Sequence, residues 1–103
     1  MDTLEKLKIM LGITGSDEDA LLQLLLDDVK ADLLTWTNRV ELPTALEPIQ
    51  RQIAAIRYNR QGVEGQTAHS EGGISRSFDD LPESIRNAIS QYRLLKVVKY
   101  AAN

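Results

Sequence analysis

The sequence predicts an all-α protein, a small bundle of about four helices with one long helix and a long glycine-rich loop before the last. Three observations carry this. Apolar residues recur at offsets of three and four through most of the chain, the period of a helical face. Acidic residues and glycines fall where those periodic segments start and stop. The one long stretch without the period, GVEGQTAHSEGGISRSFDDLP at 62–82, far exceeds the roughly two to eight residues that usually join helices in small bundles.

The first helix is predicted in DTLEKLKIMLG, where Leu4, Leu7 and Leu11 form one stripe and Gly12 supplies a stop. The second is the long one. Ser16 opens SDEDALLQLLLDDVKADLLTWTN, acidic residues crowd its first turn, and Leu22, Leu25, Leu26, Val29, Leu33 and Trp36 follow as a continuous face. Leu21, Leu24 and Leu34 widen the apolar surface, which predicts contact with more than one neighbouring element or with another subunit. Asn38 and Arg39 begin the exit.

In VELPTALEPIQRQIAAIRYNRQG, Thr44 and Glu47 have capping-box spacing, and Ile49, Ile53 and Ile56 are the expected buried face. Pro48 would break a helix already under way, so the regular helix is expected to start near Glu47 or Pro48. Gly62 is expected to end it. Before the last helix, Asp80, Pro82 and Glu83 read as a cap, an early-turn proline and a capping-box acid, with Ile85, Ile89 and Tyr92 on the inner face. The closing LLKVVKYAAN is apolar enough to continue that helix or to lie on a partner. The alternation Ile74-Ser75-Arg76-Ser77-Phe78 is the one place where a strand or hairpin is expected, formed in an assembly.

A chain of 103 residues with 43% hydrophobic and 26% charged side chains fits one globular domain over 1–103. No apolar run approaches the roughly 20 residues that cross a bilayer, and MDTLEKLK lacks the layout of a signal peptide. Cysteine is absent and His69 is the only histidine, which excludes disulfides, thiolate metal sites and paired-imidazole sites. The formal charge of −3 argues against a free-standing nucleic-acid binder, whose affinity comes largely from cations placed against phosphates.

Catalytic chemistry finds little to work with. Ser70, Ser75 and Ser77 lie near His69, but no Gly-x-Ser-x-Gly elbow frames them, so an uncharacterised hydrolase is only a third reading. The pairs Asp27-Asp28 and Asp79-Asp80 are adjacent in sequence. Neighbouring helical positions point apart, and the second pair is accounted for by capping. Gly62 and Gly65 match the letters of a GxxG clamp without its flanking strands, and no glycine-lysine-serine ending completes a phosphate loop. Arg51, Arg57 and Arg60 form a basic cluster, joined by Arg76 and Arg86 further along. Arg57 and Arg60 are candidates for intersubunit or phosphate contacts, weighed against the heavier expectation of a solvated helix face. Tyr58, Asn59 and Phe78 read either way, although an aromatic beside a loop more often pins it to the core than to a partner. No catalytic, cofactor or metal site is assigned.

The strings Arg57-Tyr58-Asn59-Arg60-Gln61-Gly62, Glu64-Gly65, Ser70-Glu71-Gly72-Gly73-Ile74-Ser75-Arg76-Ser77-Phe78 and Leu81-Pro82, with a last helix through Tyr92-Arg93, resemble the small head-tail connector proteins of long-tailed bacteriophages. The opening helix and the acid-led long helix resemble theirs too. The resemblance implies a non-enzymatic all-helical subunit at the virion head-tail interface, present in host cytoplasm during assembly. It implies a ring, typically a dodecamer, that sits under the portal protein, completes the head and offers a surface to the tail or a head-closure protein. DNA would pass through the channel without specific binding, and no membrane or cofactor is implied. In that setting residues 62–80 become a flexible assembly loop, with Gly62, Glu64, Gly65, Glu71, Gly72, Gly73, Arg76, Ser77 and Phe78 as its contact residues, foremost Arg76 as a charge-assisted donor, Ser77, and Phe78 as an outward apolar anchor. Ordering such a loop costs about 1 to 2 kcal/mol per residue, which neighbours in a ring would offset. The alternative is a small helical DNA-binding or packaging-associated protein using Arg51, Arg57 and Arg60.

Overall fold

A computed structural model describes residues 1–63 and 78–95, and these form four α-helices and two short 3-10 turns, with no strand among the described residues. Helix α1, Thr3–Leu11, starts on Asp2. The Asp2 carboxylate accepts the Glu5 amide at 2.8 Å and the Glu5 carboxylate accepts the Asp2 amide at 3.1 Å, so two amides that lack helical partners are satisfied reciprocally. The helix stops at Gly12 with φ 73°, where the Gly12 and Ile13 amides turn back to the Ile9 and Lys8 carbonyls. A Cβ at Gly12 would meet nothing within 4 Å. Gly12→Ala is therefore expected to cost only the left-handed backbone strain, about 1 kcal/mol, read as a lower urea midpoint with an unchanged slope.

Helix α2, Asp19–Thr37, begins three residues later than Ser16 led us to expect. Ser16 instead closes a turn by accepting the Asp19 amide at 3.2 Å, while the Asp19 carboxylate sits 2.8 Å from Lys8 Nζ on α1. Leu22, Leu25, Leu26, Val29 and Leu33 are buried as the spacing predicts. Trp36, Leu21 and Leu34 are half-buried, and Leu24 is 56% exposed. The extra apolar width is thus used only in part within the subunit, where α2 packs on α1, α3 and the last helix. Asn38 caps α2 in the left-handed conformation.

A 3-10 turn at Thr44–Leu46 leads into helix α3, Glu47–Val63. The expected Thr44–Glu47 capping box does not form, since no side chain caps this turn. Pro48 is harmless because it occupies the second helical position, where an amide would have no helical partner. Gly62 does not end the helix, which runs one residue further. A glycine costs about 1 kcal/mol relative to alanine, too little to stop a helix anchored along its inner face.

That inner face is rotated from the expected one. Ile53 is buried, but Ile49 and Ile56 are only half-buried, and the fully inward positions belong to Leu46, Gln50, Ile53, Ala54 and Arg57. Two polar side chains are tolerated there because each finds a partner. Gln50 Nε2 donates to the Leu26 carbonyl at 3.0 Å and Arg57 pairs with Asp32.

After a second 3-10 turn, Phe78–Asp80, comes helix α4, Glu83–Gln91. Asp80 does not cap it. The helix follows Pro82, whose carbonyl accepts the Arg86 amide, and Ile85 and Ile89 are buried beside Leu81. The helix does not continue through Tyr92 and Arg93. The Leu94 amide donates to the Thr37 carbonyl at 2.8 Å, Asn38 Nδ2 to the Leu94 carbonyl at 2.8 Å, and Arg39 Nε to the Tyr92 carbonyl at 2.7 Å. The exposed carbonyl end of α4 is thereby clamped to the end of α2. Residues 64–77 and 96–103 lie outside the described residues, and with them most of the expected loop, the possible hairpin through Ile74 and the apolar tail.

Candidate functional site

The described surroundings of the loop are two anchor points. On one side stands the last half of α3, which carries Arg57, Tyr58, Asn59, Arg60 and Gln61. On the other stands the Phe78–Asp80 turn. Phe78 is half-buried and meets Trp36 edge to face, with ring centroids 5.5 Å apart and planes at 69°. It pins the return of the chain to the core, so its described contact is internal and not the outward one expected of it. Next to this pair lies a small open cleft of about 210 Å³ lined by Thr35, Trp36, Phe78, Ile89, Ser90 and Arg93.

Arg57 departs from the expectation of a solvated helix face. It is 3% exposed, and its Nη2 lies 2.7 Å from Asp32 Oδ2 on α2. Its other amino group, Nη1, is buried without a hydrogen-bond partner, as is Gln61 Oε1 one turn further on. An intersubunit or phosphate contact by Arg57 would have to compete with this internal pair. Arg57 and Arg60, three apart, lie about 60° from one another around α3. The inward rotation that buries Arg57 leaves Arg60 half-buried on the flank.

Tyr58, next along α3, donates its hydroxyl to both Glu18 oxygens, at 2.8 and 2.9 Å. The hydrogen bond to this carboxylate, then burial, then the Glu18 charge raise its pKa above the ordinary 10.0. The folded chain holds that proton more tightly than the unfolded chain. The contribution is complete below about pH 10 and is lost as pH rises through the folded value. An ultraviolet phenolate titration should show a tyrosine ionising above the ordinary 10.0, and Tyr58→Phe should remove that step.

Of the other expected contact residues, Gly62 is in α3, whereas Glu64, Gly65, Glu71, Gly72, Gly73, Arg76 and Ser77 lie outside the described residues, with His69 and its neighbouring serines. Asp27 accepts a hydrogen bond from Gln23 on its own helix at 2.9 Å. Sequence reasoning missed the Glu18–Tyr58 bond and the Thr37-Asn38-Arg39 clamp. Their partners are 40 and more than 50 positions apart, beyond any local periodic signal. Among the described residues, no group of three His, Asp or Glu side chains could hold a metal, and no helix is long and apolar enough to cross a membrane.

Comparison with known proteins agrees with the architecture. Residues 1–93 match the family described as phage gp6-like head-tail connector proteins. No curated protein and no solved structure matches the chain. The family match covers all four helices and both anchor points of the loop, so the chain belongs to the phage gp6-like head-tail connector family.

Proposed function

We propose that this connector subunit assembles as a ring of twelve copies beneath the portal protein, completes the head and presents the surface to which the tail or a head-closure protein attaches. The observation that carries this is the family match over residues 1–93. The fold supports it. Four helices form a small folded body, while the segment between Val63 and Phe78 is tethered at both ends to that body. Such an arrangement suits a loop whose contacts are made with other chains. Within it, Arg76 and Ser77 would supply polar contacts and the glycines a shapeable backbone. Phe78, spent on Trp36, acts as the loop's internal foot rather than as its outward anchor.

The ring would encircle the DNA channel without gripping the duplex. Each subunit carries −3, so the average field of many copies repels phosphate. Inward burial of Arg57 also removes one of the three arginines on which the DNA-binding alternative relied. The chemistry is structural, with no reaction and no cofactor.

The test is mass measurement in solution, alone and with portal rings added, together with a duplex shift assay at moderate salt. A large closed ring in either condition, with no specific shift, is the expected result. A chain that remains monomeric in both, or that binds duplex tightly and specifically, would overturn the proposal.

A further inference from the structure

The outer faces of α2 and α3 look away from one another. Each helix turns its inner face toward the other. On α2 this face is Leu22, Leu26, Val29 and Leu33, and on α3 it is Gln50, Ile53, Ala54 and Arg57. Gln50 reaches the Leu26 carbonyl and Arg57 reaches Asp32 across that contact. At 100° per residue, the solvent side of α2 is then centred on Ala20, Leu24, Asp27 and Ala31, and that of α3 on Pro48, Gln52, Ala55 and Asn59. Exposure agrees with this geometry. All four α2 positions are exposed, as are Pro48, Gln52 and Asn59, with Ala55 half-buried.

The two faces differ in charge. Beside the 56% exposed Leu24, α2 carries Asp27 and Asp28, with Lys30 on the flank. The outer side of α3 has no acid after Glu47 and is bordered by Arg51, which pairs with no described acid, while Arg60 lies on the opposite flank nearer the buried Arg57. The whole chain follows the same division. Residues 1–50 hold ten acidic and four basic side chains, whereas residues 51–103 hold five and eight. Apolar surface is also available on both sides, Leu24 on one and the half-buried Ala55 and Ile56 on the other.

We propose that copies of this chain meet head to tail, the outer face of α2 of one subunit lying on the outer face of α3 of the next. Asp27 and Asp28 face Arg51, and Leu24 packs near Ala55 and Ile56. Two different faces on opposite sides of a subunit make a heterologous contact, which closes into a ring when the rotation per step permits. A self-complementary dimer would bring like charges together and is disfavoured. This inference rests on the ring-forming function proposed above and names the surfaces that would build it.

Charge reversal tests it. Chains carrying Asp27→Lys with Asp28→Lys, or Arg51→Glu, should keep the parent's helical circular dichroism. Each alone should need at least about tenfold more protein to assemble, or fail to assemble on portal rings. Mixed in equal amounts they should recover assembly as alternating rings, because every contact again joins opposite charges. The loss in the single variants should shrink as salt is raised. If both variants assemble like the parent, or if the mixture does not recover while each remains folded, the α2–α3 contact is wrong even though rings exist. If the parent itself forms no ring alone or on portals, the ring-forming function fails as well, so the two failures are told apart by the parent's mass.

Discussion

Asp32→Ala should lower the unfolding free energy by about 3 kcal/mol, toward the low end of what is lost when one partner of a buried pair is removed. Asp32 keeps 20% side-chain exposure, but Arg57 keeps only 4% and would be left as an uncompensated buried cation between α2 and α3. Against a total stability of about 5 to 15 kcal/mol for such a chain, that is a large fraction, and it corresponds to a fall in Tm of about 15 °C. The double variant Asp32→Leu with Arg57→Met should be as stable as the parent or more so. It removes both charges at similar volume, and it also removes the Nη1 group that is buried without a partner. Urea unfolding of the parent, the single variant and the double variant decides the matter. A single variant within about 0.5 kcal/mol of the parent, inside the range of ordinary surface substitutions, would show that the pair does not hold the two helices together.

Leu33→Ala is expected to cost about 3 to 4 kcal/mol, and Leu24→Ala less than about 0.5 kcal/mol. The two leucines share a helix and a residue type, so propensity is the same for both. Their surroundings differ. Leu33 is completely buried in the cluster that joins α2 to α1, α3 and α4, and truncation there leaves a cavity. Leu24 is 56% exposed, and its loss should appear in assembly instead of folding. Paired unfolding curves and paired assembly curves give four results. A Leu24 variant that unfolds early yet assembles normally would contradict both the fold-level and the surface-level assignments.

Much of the fold was legible in the sequence because its signals are local. The leucine spacing of α1 and α2, the stop at Gly12 and the late start of α3 around Pro48 all depend on residues within a turn or two of one another. Where local cues competed, the sequence misled. Ser16, Thr44 and Asp80 each have the chemistry of a cap, but a hydroxyl or carboxylate near a helix start is used only if the backbone delivers it there. Ser16 and Thr44 sit in tight turns, and Asp80 belongs to a 3-10 turn that ends before Pro82. The arginine cluster was visible, but the direction each member faces was not. An isoleucine at 49 or 56 and an arginine at 57 compete for the same inner face of α3, and apolarity alone favours isoleucine.

By itself the sequence determined that the chain is helical and where most of its apolar faces run. These follow from residue spacing and composition, which act over a few positions. Tertiary structure alone decided that Gln50 and Arg57 point inward, that Tyr58 closes on Glu18, and that Leu94 leaves the helix to pair with the end of α2. Each choice depends on a partner between 24 and 57 positions away, and a polar side chain is stable in the interior only after folding has brought that partner within hydrogen-bonding reach.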